Sequence, residues 1–145
     1  MEPQQYSIEI RRPVAEVFAY MDDVHREHEW QPNLREAEQT PSGATAVGSR
    51  KRYVSDFMGK RVENTHEVVA LETGRRVVYR TTPDSSIDAT TEVRCDPVGD
   101  GTRVTMSVQG KPTGVLRFVP KKMMDKVYQQ ELAASLKQLK ACLEG

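Results

Sequence analysis

The stretch that decides the fold is YSIEIRRPVAEVFAYMDDVHREHEWQPN, residues 6–33. It begins with apolar side chains at positions 6, 8 and 10, which is the period of a strand with one buried face. Pro13 then stands where the first turn of a helix tolerates proline, and Pro32 ends a second short helical stretch. The pattern predicts one strand followed by two short helices.

Residues 116–143 predict one long amphipathic helix. Their apolar side chains form a single stripe at helical spacing: Tyr128, Leu132, Leu136, Leu139 and Leu143. Pro120 must start, kink or interrupt this helix, because proline lacks the N–H group that a helix interior needs.

The residues between these two ends alternate between apolar and polar side chains and are punctuated by turn residues, which predicts strands. A hairpin is expected around Gly59. The predicted strands are 34–40, 47–58, 60–71, 76–82, 87–95 and 102–109. Because no helical pattern separates them, we expect an antiparallel meander.

The composition argues against several function classes. Of the 145 residues, 21 are Lys or Arg and 21 are Asp or Glu, so no net charge favours a nucleic acid or an anionic membrane as partner. No apolar run has the length of a signal sequence or of a membrane span, so we expect a cytoplasmic location without stable membrane insertion. Cys95 and Cys142 match no metal spacing and are interpreted as ordinary packed thiols in a reducing compartment.

These elements, in this order, resemble the START-like superfamily, also called the SRPBCC or polyketide cyclase/dehydrase and lipid transport group. The most specific pieces are Arg-Pro at 12–13 leading into VFAYMDD at 17–23, and Trp-Gln-Pro at 30–32. The resemblance covers nearly the whole chain and treats residues 1–145 as a single START-like domain. It implies an α+β helix-grip fold, in which a seven-stranded antiparallel sheet curves around a long C-terminal helix, with two short helices after strand 1. A cavity would lie between the sheet and the long helix.

The inward faces of the predicted strands indicate which residues would line this cavity. Period 2 places Asn64 and His66 on the same inward face as Val62 and Val68, where polar groups need partners or solvent. The predicted ligand-binding residues are Trp30, Tyr53, Asn64, His66, Tyr79, Thr91, Met106, Met124, Val127 and Tyr128. Two alternatives stay open: Asn64 and His66 are satisfied structural groups, or a β-bulge turns them outward. It also stays open whether large side chains such as Phe18, Trp30 and Phe118 fill the cavity.

The leading hypothesis is binding of a small hydrophobic or amphiphilic ligand, such as a lipid, quinone, polyketide or aromatic metabolite. No cofactor is expected, and the protein would be a monomer or a weak homodimer. The alternative is a polyketide cyclase/dehydratase-type enzyme using His66, Asn64 and Tyr53. His66 is then the only candidate acid–base group, and no carboxylate is expected beside it, because its neighbours Glu63 and Glu67 alternate outward.

A third hypothesis is a protein-interaction module of the Hsp90-activator type, which would use the basic residues from Arg50 to Arg61. The interpretation of this run without a specific function is that its residues, including Lys51, form a solvated face. His25 and His28 share a helix face with Glu29 one turn from His25, but residues 25–29 are typical of an exposed helix. No metal site is assigned there, because a further ligand is missing.

Overall fold

The computed structural model describes residues 3–113 and 116–145, and its seven strands form one antiparallel sheet. The strands are β1 (Gln4–Ile10), β2 (Leu34–Thr40), β3 (Arg50–Phe57), β4 (Lys60–Glu72), β5 (Arg76–Thr81), β6 (Ile87–Val98) and β7 (Gly101–Pro112). Their order in the sheet is β1-β7-β6-β5-β4-β3-β2. The meander predicted for the middle of the chain therefore runs from β2 to β7, and β1 pairs with β7 at the far edge.

Hairpin connections explain why consecutive strands lie side by side. Between β3 and β4, Phe57 faces Lys60, so only Met58 and Gly59 form the turn. Both turn residues have positive φ angles, 53° and 78°, as a two-residue hairpin turn requires, and glycine adopts such an angle without strain.

The helices are α1 (Val14–Asp22), α2 (Glu27–Trp30) and α3 (Lys121–Glu144), and a short 3-10 helix at Val24–Arg26 lies between α1 and α2. Pro13 and Pro120 directly precede α1 and α3, so each proline begins a helix and kinks neither. The Asp23 side chain accepts a hydrogen bond from the backbone N–H of His25 at 3.0 Å and caps the 3-10 turn. The helix-grip architecture expected from the sequence is confirmed.

The apolar core is divided into two clusters. The first joins α1 and the C-terminal half of α3 to the sheet and includes Val17, Phe18, Trp30, Val68, Val104, Leu136 and Leu139. The second lies at the other end of α3 and includes Phe57, Val62, Val108, Leu116, Met124, Tyr128 and Leu132. The space between the two clusters is therefore not closed by the core itself.

The structure also answers three sequence-based expectations about the cysteines, Phe118 and membrane-spanning helices. Cys95 is buried as predicted, but Cys142 is exposed near the end of α3, so the expectation of two packed thiols is wrong for Cys142. Phe118 is 82% exposed and does not fill the interior. Within residues 3–113 and 116–145, no helix combines the length and the apolarity that crossing a membrane requires.

The buried stripe of α3 generates the first prediction. Leu136→Ala should lower the free energy of unfolding by about 2–5 kcal/mol, because Leu136 is completely buried and its removal leaves a cavity. Chemical denaturation followed by circular dichroism measures the change. The neighbouring exposed Lys137→Ala is the control and should change stability by less than about 0.5 kcal/mol. Equal effects of the two substitutions would contradict the packing described here.

Candidate ligand-binding cavity

A cavity of about 540 Å³ lies between the inner face of the sheet and α3. It separates the two apolar clusters, and residues of both contribute to its wall. Phe18 and Trp30 line the cavity without filling it, which answers the question that the sequence left open.

Nine of the ten predicted ligand-binding residues line this cavity. They are Trp30, Tyr53, Asn64, His66, Tyr79, Thr91, Met106, Val127 and Tyr128. The strand residues reach it because alternate side chains of a strand point to the same face of the sheet. Met124 does not line it; this side chain is buried in the second apolar cluster, because the first turns of α3 pack onto that cluster.

Asn64 and His66 occupy the inward face of β4, as the alternation predicted. The pairing of β3 with β4 is regular through this region, and the irregularity of β4 falls later, between Val68 and Ala70. No bulge therefore turns the two polar side chains outward. The Asn64 side-chain oxygen accepts hydrogen bonds from the backbone N–H groups of Ser86, at 2.8 Å, and Ile87, at 3.2 Å. This oxygen thus holds the loop before β6, which is the structural role that the sequence left as an alternative.

His66 is held by aromatic contacts. Its ring lies edge-on to the rings of Tyr53 and Tyr79, with centroid distances of 5.3 and 6.2 Å. Its ring nitrogens make no hydrogen bond to any residue of 3–113 or 116–145. Burial, helped by the positive charge of Lys51, lowers the pKa of His66 to about 4, so the imidazole is neutral at pH 7.

Lys51 is the centre of a buried polar cluster, and its interpretation as part of a solvated face is wrong. The side chain is 0% exposed. Its ammonium group donates to the Asp22 carbonyl oxygen at 2.9 Å, the Asp22 carboxylate at 3.3 Å, the Glu27 carboxylate at 3.4 Å and the Tyr79 hydroxyl at 3.1 Å. The Asp22 carbonyl ends α1, so Lys51 also satisfies a C-terminal carbonyl of that helix.

Glu27 completes the cluster from α2. The Tyr53 hydroxyl lies 2.8 and 2.9 Å from its two carboxylate oxygens, and the Gln31 amide donates to one of them at 2.7 Å. Glu27 is 3% exposed, so the interpretation of residues 25–29 as an exposed helix is wrong at this position. His25 and His28 do lie on the surface. Among the described residues, no three His, Cys, Asp or Glu side chains are arranged to hold a metal ion.

Burial and pairing act in opposite directions on these charges. Burial raises the pKa of the Glu27 carboxyl to about 7, although Lys51, Tyr53 and Gln31 stabilise the ionised form. Burial by itself would lower the pKa of Lys51, but the charge of Glu27 and its other neighbours outweighs this effect, so the pKa is raised. Lys51 therefore stays charged, whereas Glu27 titrates near neutral pH.

Sequence reasoning missed Asp22, Glu27 and Lys51 as cavity-side residues. The signal for Lys51 was its position two residues before Tyr53 on β3, which places both on the inward face. The signal for Glu27 was its position three residues before Trp30, on the same side of a helix. The composition instead predicted that these residues are exposed, because charged residues in a charged segment are usually solvated.

The mouth of the cavity lies between the α2–β2 connection and α3. Pro32 and Asn33 on one side and Gln130 and Glu131 on the other contribute to it. The Asn33 amide donates to the Glu131 carboxylate at 2.8 Å and joins the two sides. Burial raises the pKa of Glu131.

The buried cluster predicts that Lys51 is far more important for stability than its exposed neighbours on β3. Lys51→Met should cost about 3–5 kcal/mol, because it leaves two carboxylates next to one another without their counter-charge. Arg50→Met is the matched control; Arg50 forms an exposed ion pair with Glu67, and its loss should cost less than about 1 kcal/mol. Urea denaturation at pH 7 compares them. A Lys51→Met protein as stable as wild type would contradict the cluster.

The raised pKa of Glu27 predicts a pH dependence of stability. The folded protein keeps the Glu27 proton up to pH about 7, whereas the unfolded chain releases it near the ordinary value of 4.5. Between these values the folded state binds the extra proton, so the contribution of this group to the free energy of unfolding falls as pH rises. In Glu27→Gln this titration is absent. The stability of the variant relative to wild type should therefore rise by about 3 kcal/mol between pH 4.5 and 8.

Denaturation curves at a series of pH values measure this difference. The titration of His66, whose lowered pKa has the opposite effect on stability, is present in both proteins and cancels in the comparison. Parallel pH profiles for wild type and Glu27→Gln would show that Glu27 keeps its ordinary pKa.

The fold recurs in solved structures of low sequence identity. The protein TTHA0849 from Thermus thermophilus is 20% identical with a TM-score of 0.81, over 97% of this chain and 95% of that chain. A START superfamily protein from Mycobacterium smegmatis is 15% identical with a TM-score of 0.82, over 97% and 95% of the two chains. Ara h 8.0201 is 15% identical with a TM-score of 0.70, over 98% and 97%. These identities show the shared fold alone.

A comparison with curated protein sequences finds no match for the chain. The family model described as "Polyketide cyclase / dehydrase and lipid transport" matches residues 4–144. This family and the helix-grip fold are both consistent with a ligand-binding START-like domain. The chain therefore belongs to the polyketide cyclase/dehydrase and lipid transport family.

Proposed function

We propose that the protein, as one domain over residues 1–145, binds a small hydrophobic or amphiphilic molecule in the cavity between the sheet and α3. The observation that carries this proposal is the volume of about 540 Å³ left open between two well-packed apolar clusters. Protein interiors are close-packed and rarely leave a void of this size, because it costs stability, so its presence favours a role in binding. Cavities that bind small molecules have volumes of this order.

The wall of the cavity fits an amphiphile. Apolar side chains from β4 to β7 and from α3 contribute to it, including Val62, Val77, Ile87, Val108 and Leu132. The polar groups of Glu27, Tyr53, His66 and Tyr79 come together, since His66 contacts both tyrosine rings and Tyr53 is bonded to Glu27. A lipid, quinone, polyketide or aromatic metabolite with an apolar body and a polar group matches this division.

The contacts favour binding over catalysis by the residues that the enzyme hypothesis named. The Asn64 oxygen is engaged by two backbone N–H groups, and the Tyr53 hydroxyl by Glu27. His66 makes no hydrogen bond to a carboxylate of the described residues, and burial lowers its pKa to about 4, well below the range of an acid–base catalyst at pH 7. A cyclase or dehydratase that used these three residues would need them in a different hydrogen-bonding arrangement.

The basic strand residues give little support to an interaction module. Arg50 pairs with Glu67, and Arg52 pairs with Glu38 and Glu63. Lys51 points to the interior and is absent from this surface. Arg50, Arg52 and Arg61 are therefore compensated in charge and only Lys60 of this run has no acidic partner among the described residues, whereas a docking patch would need several free positive groups.

Ligand binding predicts that only one of two adjacent substitutions on β6 reduces affinity. Thr91 lines the cavity, whereas Thr90 lies on the outer face of the sheet, where its hydroxyl accepts from Arg80. Thr91→Phe places a large side chain in the cavity and should reduce binding at least about tenfold, while Thr90→Phe leaves it unchanged.

Two measurements test this prediction. Native mass spectrometry of protein purified from its own host detects a bound small molecule, and Trp30 fluorescence reports occupancy by a panel of lipids, quinones and polycyclic aromatics. Trp30 is the only tryptophan and lines the cavity, so its signal has no background. If nothing co-purifies and no member of the panel changes the fluorescence or the melting temperature of the wild type, the proposal is wrong.

A further inference from the structure

The ammonium group of Lys51 and the carboxylate of Glu27 have their hydrogen-bonding capacity taken up by other groups of the protein. An ammonium group has three donors, and the four acceptor atoms around Lys51 occupy all of them. Both carboxylate oxygens of Glu27 already accept hydrogen bonds, one from Lys51 and one from Gln31, and both lie beside the Tyr53 hydroxyl. Lys51 and Glu27 thus satisfy one another without any further molecule, whereas one carboxylate oxygen of Asp22 has no hydrogen-bond partner among the described residues.

Three uncharged groups next to this cluster remain open. The Tyr79 hydroxyl accepts from Lys51, but its own proton has no acceptor among the described residues. Thr91 faces Tyr79 directly across the β5–β6 pairing, and its hydroxyl likewise has no partner there. The neutral ring of His66, 6.2 Å from that of Tyr79, has one N–H donor and one acceptor nitrogen free. All three residues line the cavity on adjacent strands.

The sign of the surrounding charge works against an anion. The lining formed by the described residues includes four carboxylates, Asp22, Glu27, Asp56 and Glu131, and no Lys or Arg. Lys51 stands behind this lining, paired with two of the acids. A ligand carboxylate would leave water to meet negative neighbours and no free cationic donor, which is costly.

A cationic ligand would gain little electrostatic stabilisation to offset the cost of removing it from water. Three of the four acids already have a cationic partner: Asp22 and Glu27 share the single charge of Lys51, and Asp56 pairs with Arg35 and Arg61. The fourth, Glu131, lies at the mouth and accepts from Asn33. Burial raises the pKa of Tyr79 to about 12, so its hydroxyl keeps the proton that an uncharged acceptor can use.

Building on the ligand-binding function proposed above, we infer that the cavity selects an uncharged molecule whose carbonyl or hydroxyl oxygen is held by the open group of Tyr79, Thr91 or His66. Such an oxygen accepts from Tyr79 or Thr91, and a ligand hydroxyl can also donate to the free nitrogen of His66. Ketones, quinones, phenols and alcohols belong to this class. Fatty acids and other carboxylates do not.

Four naphthalene probes of nearly equal shape test this inference by isothermal titration calorimetry at pH 7.5. They are the ketone 2-acetylnaphthalene, the carboxylate 2-naphthoate, the amine 1-(2-naphthyl)ethylamine and the hydrocarbon 2-ethylnaphthalene. The ketone should bind about tenfold more tightly than the carboxylate and the amine, and several-fold more tightly than the hydrocarbon, because one unstrained hydrogen bond is worth up to about a factor of ten.

Two variants locate the selecting groups. Tyr79→Phe and Thr91→Val each remove one open hydroxyl with little change of shape, and each should bring the affinity of the ketone closer to that of the hydrocarbon. Thr91→Val covers the case in which Tyr79→Phe, which also takes an acceptor from Lys51, fails to fold. Tyr20→Phe is the matched control, since that hydroxyl donates to Glu29 and is not part of the cavity lining.

The outcomes separate this inference from the proposed function. Equal or tighter binding of the carboxylate or the amine would overturn the inference while leaving ligand binding intact. A preference for the ketone that survives in both Tyr79→Phe and Thr91→Val would overturn the assignment of these groups. If none of the four probes binds and none changes the melting temperature, the inference fails; the proposed function fails only if nothing co-purifies and the panel of lipids, quinones and polycyclic aromatics also has no effect.

Discussion

The ammonium group of Lys51 is the contact on which the rest of the site depends. It joins the end of α1, through Asp22, and the start of α2, through Glu27, to strands β3 and β5 of the sheet. A buried ion pair contributes little net stability, because desolvation of the charges offsets their attraction. Its effect is on geometry: once one charge of the group is buried, the others must stay close. The two short helices are thereby fixed against the sheet, and Asp22 and Glu27, which make these polar contacts, also line the cavity.

The same cluster determines what the cavity offers to a ligand. Lys51 and Glu27 satisfy one another, and the open groups beside them on the sheet, Tyr79, Thr91 and His66, are uncharged, although four carboxylates line the cavity. Burial supports this division, since it keeps His66 neutral and Tyr79 protonated at pH 7. In the function proposed here, the same small set of buried polar side chains around Lys51 fixes the two short helices and leaves uncharged groups open to a ligand.

Much of the site was predictable from strand periodicity. Alternation placed Asn64, His66 and Tyr79 on the inner face correctly, because the pleat leaves a strand residue only two directions to point. Strand alternation does not apply to Met124, which lies on a helix. Its side chain packs into the second apolar cluster instead of the cavity wall. Alternation places Lys51 on the inner face beside Tyr53, but its charge led to the opposite interpretation. For Lys51 and Glu27 alike, the sequence shows that a residue is charged but not that its counter-charge lies 24 positions away. Burial of a charge depends on that partner.

The sequence by itself determined the elements, their order and the inward face of each strand, because propensity, proline position and periodicity act within a few residues. It thereby determined the family as well, which the match over residues 4–144 establishes. Only the tertiary structure decided that the space between the two apolar clusters stays open at about 540 Å³, and that Asp22, Glu27 and Lys51 meet at its edge. Both facts follow from how distant segments pack in three dimensions, where a shift of a few ångströms fills a cavity or separates an ion pair.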